Sequence, residues 1–153
     1  MDISVYTDAS YCHKTKVAAC GYFILNKNKP IKHDIFLFQD VKNSYEAEQI
    51  AIEKGLQEAF LVNGTIKRIV LFTDSMGVVD NIRNYINNLT YSKKFMRKDL
   101  LETIDTLIEC GVKVTLVYVK AHAHHGKETT AEKFNKKVDI SVRTELRKYL
   151  NNK

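Results

Sequence analysis

The stretch Leu71-Phe72-Thr73-Asp74-Ser75 repeats the pattern of Val5-Tyr6-Thr7-Asp8-Ala9-Ser10 near the start of the chain: an apolar run with an aspartate directly after it. Each reads as a strand that delivers a carboxylate at its carboxyl end. Open α/β sheets bind ligands in the crevice outside the carboxyl ends of adjacent parallel strands. If these two strands are neighbours, Asp8 and Asp74 meet. Singly, each has an ordinary explanation, Asp8 as a turn residue and Asp74 or Ser75 as the cap of a helix starting at Met76. A functional reading therefore rests on convergence with other acids.

Outward from these two runs, the patterning predicts strands over Ile3–Thr7, Val17–Asn26 and Ile31–Phe38, the last two joined by the turn chemistry of Asn26-Lys27-Asn28-Lys29-Pro30. Three strands with short connections suggest an antiparallel meander. A helical period then runs from Tyr45 to Val62 and stops at Asn63-Gly64. Beyond it the types alternate: strand Ile69–Thr73, helix Met76–Ile86, helix Phe95–Glu109, strand Val112–Val119, helix Thr130–Leu150. Strands separated by helices pair in parallel through right-handed crossovers. The expected fold is α/β, a mixed sheet with an antiparallel side and a parallel side, flanked by helices.

Two of the helices carry acids on or beside their apolar stripes. At about 100° per residue, Glu48 shares a face with Ala51, Ile52, Gly55, Leu56 and Ala59, while Glu46 lies roughly 160° away from it. Glu46 is therefore expected on the solvent side, at capping-box spacing from Asn43. In the last helix Asp139 edges the stripe of Ala131, Val138, Val142, Leu146 and Tyr149, with Asn135 one turn earlier. A salt bridge to a nearby basic residue is the ordinary account of Asp139. Taken together, Asp8, Glu48, Asp74 and Asp139 sit on four separate elements. Hard oxygen ligands of this kind suit Mg²⁺ or Mn²⁺, and two-metal phosphoryl transfer is the chemistry such a set performs.

Composition allows a nucleic-acid partner, although the charge alone is equally explained as a solubility surplus. The chain of 153 residues fits a single domain over 1–153, is 44% hydrophobic and 27% charged, and carries a net charge of +6, with a pI near 9.1. A basic surface favours polyanions through counterion release. The three cysteines, Cys12, Cys20 and Cys110, have no close metal-ligand spacing and read as reduced thiols. No leader pattern marks Met1–Thr7 and no apolar run approaches a membrane span, so the expectation is a cytoplasmic, monomeric protein without membrane contact.

The set of acids, in this order and on these elements, resembles the type-1 ribonuclease H family. The resemblance spans nearly the whole chain: Asp8 after the first strand, Ala47-Glu48 opening the first helix, Thr73-Asp74-Ser75 after the fourth strand, then Val119-Lys120-Ala121-His122, Asn135 and Asp139. It implies a five-stranded mixed sheet and an endonuclease that cuts the RNA strand of an RNA/DNA hybrid, leaving 3′-hydroxyl and 5′-phosphate ends. It also implies that the four acids hold two Mg²⁺ ions, which Mn²⁺ can replace. His122 falls on the family's proton-handling loop position, and Asn135 on a position beside the catalytic centre. A zinc reading of His122, His124 and His125 is disfavoured, because no cysteine lies near them and Gly126-Lys127 is loop-like.

Several departures concern the substrate grip. Ala9 stands where a glycine usually follows the first acid, His13-Lys14-Thr15-Lys16 replaces a Gly-rich turn, and Ser44-Tyr45 replaces paired asparagines. No tryptophan-bearing basic handle is present, since the chain has no Trp. Its place is taken by a segment with Lys93, Lys94, Arg97 and Lys98, flanked by Tyr91 and Phe95, which are candidates for phosphate contact and stacking. Asn43 and Ser44 are candidates for the 2′-hydroxyl contacts that distinguish RNA. Two other readings stay open: a nuclease of the same fold acting on DNA, as resolvases and strand transferases do, and a non-catalytic nucleic-acid-binding domain.

Overall fold

The computed structural model describes residues 1–120 and 129–152. In chain order the elements are β1 (Asp2–Cys12), β2 (Val17–Asn26), β3 (Lys29–Phe38), α1 (Ser44–Phe60), β4 (Arg68–Thr73), α2 (Met76–Ile86), a 3-10 turn (Lys93–Phe95), α3 (Lys98–Glu109), β5 (Lys113–Tyr118) and α4 (Thr130–Asn151). The strands form a five-stranded sheet in the order β3-β2-β1-β4-β5. β1–β2 and β2–β3 pair antiparallel, β1–β4 and β4–β5 parallel. The mixed sheet flanked by helices is the one expected, and β1 and β4 are neighbours.

Side-chain alternation along the strands splits the core between two faces. Ile3 and Val5 of β1 pack with Tyr22 and Ile24 of β2 against Ile52 and Leu56 of α1, Val79 and Ile82 of α2, and Leu100 and Ile104 of α3. On the opposite face Tyr6, Val17, Ala19 and Leu25 meet Phe134, Val138, Val142 and Leu146 of α4. An aromatic group anchors α4 there: Tyr6 stacks on Phe72 at 4.4 Å and packs at 5.4 Å from Phe134.

The structure departs from the sequence reading in three instructive places. The first strand was expected to end at Thr7, but β1 runs through Asp8 to Cys12, because its antiparallel ladder with β2 continues after its parallel ladder with β4 stops at Tyr6 and Phe72. Asp8 is thus inside β1, yet past the end of the β1–β4 pairing. The β2–β3 connection is tighter than expected. Only Lys27 and Asn28 form the loop, at φ 52° and 65°, which is the left-handed pair a two-residue hairpin requires. Finally α3 begins at Lys98 rather than Phe95, because the backbone at Met96 and Arg97 is extended, with ψ of 132° and 131°.

Two glycines set how closely helices approach the sheet. A Cβ on Gly55 of α1 would stand 2.9 Å from Thr7 Cγ2 and 3.0 Å from Val5 Cγ1. A Cβ on Gly21 of β2, directly opposite Asp8 in the ladder, would stand 2.9 Å from Val142 Cγ1 of α4 and 2.5 Å from Ile35 Cδ1. Both sites need a residue without a side chain for the helix to lie this close. Gly21→Ala is expected to destabilise the protein by about 1–3 kcal/mol through overpacking under α4, measured as a lower urea midpoint; an unchanged midpoint would mean that α4 shifts without cost.

A candidate metal centre and the basic surface beside it

Asp8 is 3% exposed. The Ala9 N–H donates to its Oδ1 at 2.8 Å, which fixes the carboxylate, while Oδ2 is buried without a hydrogen-bond partner. Glu48 enters from the start of α1 and likewise leaves Oε2 buried and unpartnered. Asp74 lies in the connection between β4 and α2, where Ser75 is the N-cap and makes no side-chain capping bond. One carboxylate oxygen from each of Asp8, Glu48 and Asp74 lies within 4.8 Å of the other two.

Such crowding disfavours ionisation. Burial raises the Asp8 carboxyl above the ordinary carboxylate range, and the charges of Asp74 and Asp139 raise it further. Burial, then Asp8 and Asp74, push Glu48 the same way. A cation placed among these oxygens reverses the effect and supplies what the orphaned atoms lack. The donor set is oxygen only. The nearest thiol, Cys20, points at the Ala47 carbonyl at 3.6 Å, and burial, with Glu48 and Asp8 adding, pushes its pKa up, so it stays protonated. These residues fit a hard divalent ion such as Mg²⁺ or Mn²⁺.

Asp139 stands outside this close group. Arg143, one turn on, pairs with its Oδ2 at 2.9 Å, the salt bridge that is the ordinary account of such a residue, although its charge still reaches Asp8. Asn135, one turn earlier on α4, is 5% exposed with Oδ1 buried and unpartnered. His122, His124 and His125 lie in 121–128, outside the described residues.

Most of the candidate substrate residues lie elsewhere, at the start of α1 and in the segment leading into α3. A groove of about 680 Å³ is bounded by Asn43, Tyr45 and Glu46 at the start of α1, by Gly77 of α2, and by Lys94–Asp99. Asn43 is the N-cap, its Oδ1 accepting from Glu46 N at 2.8 Å, while Glu46 Oε1 accepts from Lys42 N at 3.0 Å. Ser44, Lys93 and Lys94 are exposed. Phe95 is 59% exposed with Lys94 Nζ 5.8 Å from its ring centre, whereas Tyr91 packs edge-on to Tyr85 at 5.2 Å.

Arg97 differs from the two lysines. Its guanidinium pairs with Glu46 at 3.5 Å and Glu53 at 3.4 Å, both on α1, and lies 5.9 Å from the Phe38 ring centre. Glu46 therefore does not face open solvent as its helical position suggests; it is half-buried against Arg97. The sequence reading also passed over Gln49, which is 1% exposed and bonds the backbone on both sides of Met96. It passed over Gly21 too, although a glycine inside an otherwise apolar strand signals close approach.

The family model described as RNase H matches residues 1–146. The chain belongs to the RNase H family. Among solved structures, this RNase H chain is similar to LC11-RNase H1, isolated from compost by a metagenomic approach, with TM-score 0.68 and 14% identity, covering 97% of this chain and 98% of that one. It is also similar to RNase H1 from the halophilic archaeon Halobacterium salinarum NRC-1, with TM-score 0.62 and 16% identity, covering 78% of this chain and 86% of that one. At these identities the structures speak for the fold. No curated protein sequence matches the chain.

The raised carboxyls make stability depend on pH and on metal. Because Asp8 and Glu48 bind protons more tightly folded than unfolded, their contribution to stability without metal is fully present below the ordinary carboxylate range of about pH 4 and is lost as pH rises through the raised folded values. In EDTA at neutral pH, Asp8→Asn should be more stable than the wild type by on the order of 1 kcal/mol or more. Thermal melts with and without Mn²⁺ should show wild-type stabilisation that grows with pH and is largely lost in Asp8→Asn; a wild-type melting temperature indifferent to both pH and metal would contradict this account.

Proposed function

We propose that this RNase H family protein is a divalent-metal-dependent endonuclease that hydrolyses the RNA strand of RNA/DNA hybrids, leaving 3′-hydroxyl and 5′-phosphate ends. The observation that carries the reading is the meeting of Asp8, Glu48 and Asp74, from three separate elements, where Asp8 Oδ2 and Glu48 Oε2 are buried without a hydrogen-bond partner. The two similar structures described as RNase H1 support it.

In this reading Asp8, Glu48, Asp74 and Asp139 are the metal ligands. Two Mg²⁺ ions held there would supply Lewis-acid activation of a water and charge stabilisation at the leaving 3′ oxygen. The chain's own residues prepare for this. Ala9 N–H holds Asp8 so that its second oxygen stays within the cluster. Asp139, which pairs with Arg143, would complete the set by turning from that partner. The pair is half-exposed and (i, i+4), worth only a few tenths of a kcal/mol, so it presents little obstacle. His122 is assigned proton transfer. Lys93 and Lys94 neutralise backbone phosphates, and Asn43, Ser44 and Asn135 contact or orient the substrate near the scissile bond. A reducing, cytoplasmic setting is proposed from the three unpaired cysteines.

A labelled RNA/DNA hybrid incubated with the protein and Mg²⁺ should lose its RNA strand, with the DNA strand intact. Asp8→Asn or Asp74→Asn should lower kcat at least about a thousandfold while the fold is retained. A hybrid left intact in both Mg²⁺ and Mn²⁺ sinks the proposal, and cleavage of duplex DNA with the hybrid ignored would replace it by a DNA-acting enzyme of the same fold.

A further inference from the structure

The face of α1 turned away from the carboxylates is not a plain solvated surface. Glu46, Gln49 and Glu53, at spacings of three and four residues, form a stripe on one side of the helix. All three grip the segment that carries the lysines. Gln49 Nε2 donates to the Phe95 carbonyl at 2.8 Å, and its Oε1 accepts from Arg97 N at 2.7 Å. Glu46 and Glu53 hold the Arg97 guanidinium from either side of Gln49 along the helix. Tyr45 adds a second tie. Its hydroxyl bonds Asn81 Nδ2 and the Gly77 carbonyl, and Asn81 Oδ1 accepts from Ser92 N at 3.0 Å.

The use of Gln49 is specific. A buried side-chain amide that satisfies a carbonyl on one side of a residue and an N–H on the other fixes that backbone in an extended form, as a neighbouring strand would. It stops the 3-10 turn Lys93–Phe95 from merging into α3. It also sits one residue after Glu48, so a single helical step of about 1.5 Å and about 100° separates the residue that carries the carboxylate from the residue that carries the clamping amide. Few linkages could transmit a fixed spacing more directly.

We propose that Gln49 is a positioning residue: it clamps residues 95–97 so that Lys93, Lys94 and the exposed Phe95 stand at a fixed distance from the carboxylates, ready for the phosphates and a base of the bound duplex. The proposal rests on the hybrid-cleaving function above. Arg97 then serves as an anchor for the segment, and the lysines as its contact with substrate. Gln49 touches no reacting atom, so its loss weakens binding and leaves the chemical step at saturation nearly intact.

A double-mutant cycle between Gln49→Met and Lys93→Ala/Lys94→Ala tests this, read by anisotropy on a short RNA/DNA hybrid in EDTA and by kcat and KM in Mg²⁺. The lysine pair alone should cost about tenfold in affinity and about two units of the log–log salt slope. Gln49→Met, close in length and lacking both hydrogen bonds, should reproduce most of that loss, with KM raised and kcat within about twofold. In the Gln49→Met background the lysine substitutions should cost little more, and exchange of the Arg97 amide should accelerate. Should Gln49→Met fold poorly, Gln49→Glu retains the acceptor for Arg97 N–H but sets an oxygen against the Phe95 carbonyl, and the same cycle applies. Full, additive effects of the lysine pair in the Gln49→Met background, or a fall in kcat with KM unchanged, would overturn the clamp. A wild type that binds the hybrid without cutting it would instead remove the function on which the proposal rests, while the binding cycle would still judge Gln49.

Discussion

Asp8 and Glu48 each bury a carboxylate oxygen that no protein donor satisfies, with Asp74 close enough to add a third charge. Left to itself this arrangement is unfavourable, since burial and like charge both resist ionisation. The fold persists with it because the surrounding scaffold is over-determined. Asp8 is locked in register by the β1–β2 ladder, which extends four residues past it to Cys12. Glu48 is locked by the close seating of α1, where Gly55 lets the helix rest on Val5 and Thr7. An apolar core on both faces of the sheet supplies the stability that such a site consumes.

The helix α1 joins two problems of recognition that sequence keeps apart. One face, with Glu48, Ile52 and Gly55, meets the sheet, and another, with Glu46, Gln49 and Glu53, holds the segment leading into α3. A rigid helix converts the angular offset between them into a spatial offset between the acids and the basic surface. The two surfaces are opposite in sign: carboxylates that could hold cations on one side, and the exposed lysines of the adjoining segment on the other.

The elements and the acids were largely legible in the sequence because each rests on a local pattern. The period of two marked the strands, the period of 3.6 marked the helices, and helical geometry placed Glu48 inward. Adjacency of β1 and β4, the condition on which a meeting of Asp8 and Asp74 depended, is what the sheet order shows. What was not legible depends on tertiary contacts. Phe95 has no local reason to lie outside α3; the reason is Gln49, 46 residues away. Glu46 reads as solvent-facing by its angle on the helix, and becomes half-buried only because Arg97 folds back onto it. Asp139 shows the limit from the other side: its place on the stripe edge was readable, but its pairing with Arg143 rather than with the close group depends on side-chain rotamers that no periodicity encodes.

The crevice itself follows from unequal strand lengths. β1 and β4 pair in parallel only as far as Tyr6 and Phe72, after which β1 stays with β2 while β4 continues with β5 to the Thr73–Tyr118 pair. The Val119 N–H then donates to the Thr73 carbonyl at 2.9 Å, keeping β4 and β5 together one step further. The two halves of the sheet therefore part at the point where Asp8 and Asp74 occur, one still inside a strand and the other just beyond one. Had both strands ended together, the acids would crown a flat edge open to water, with little burial and ordinary acidity. Because one continues and the other turns away, the carboxylates line the gap between them, and that gap gives their oxygens both the burial and the closeness that call for a cation.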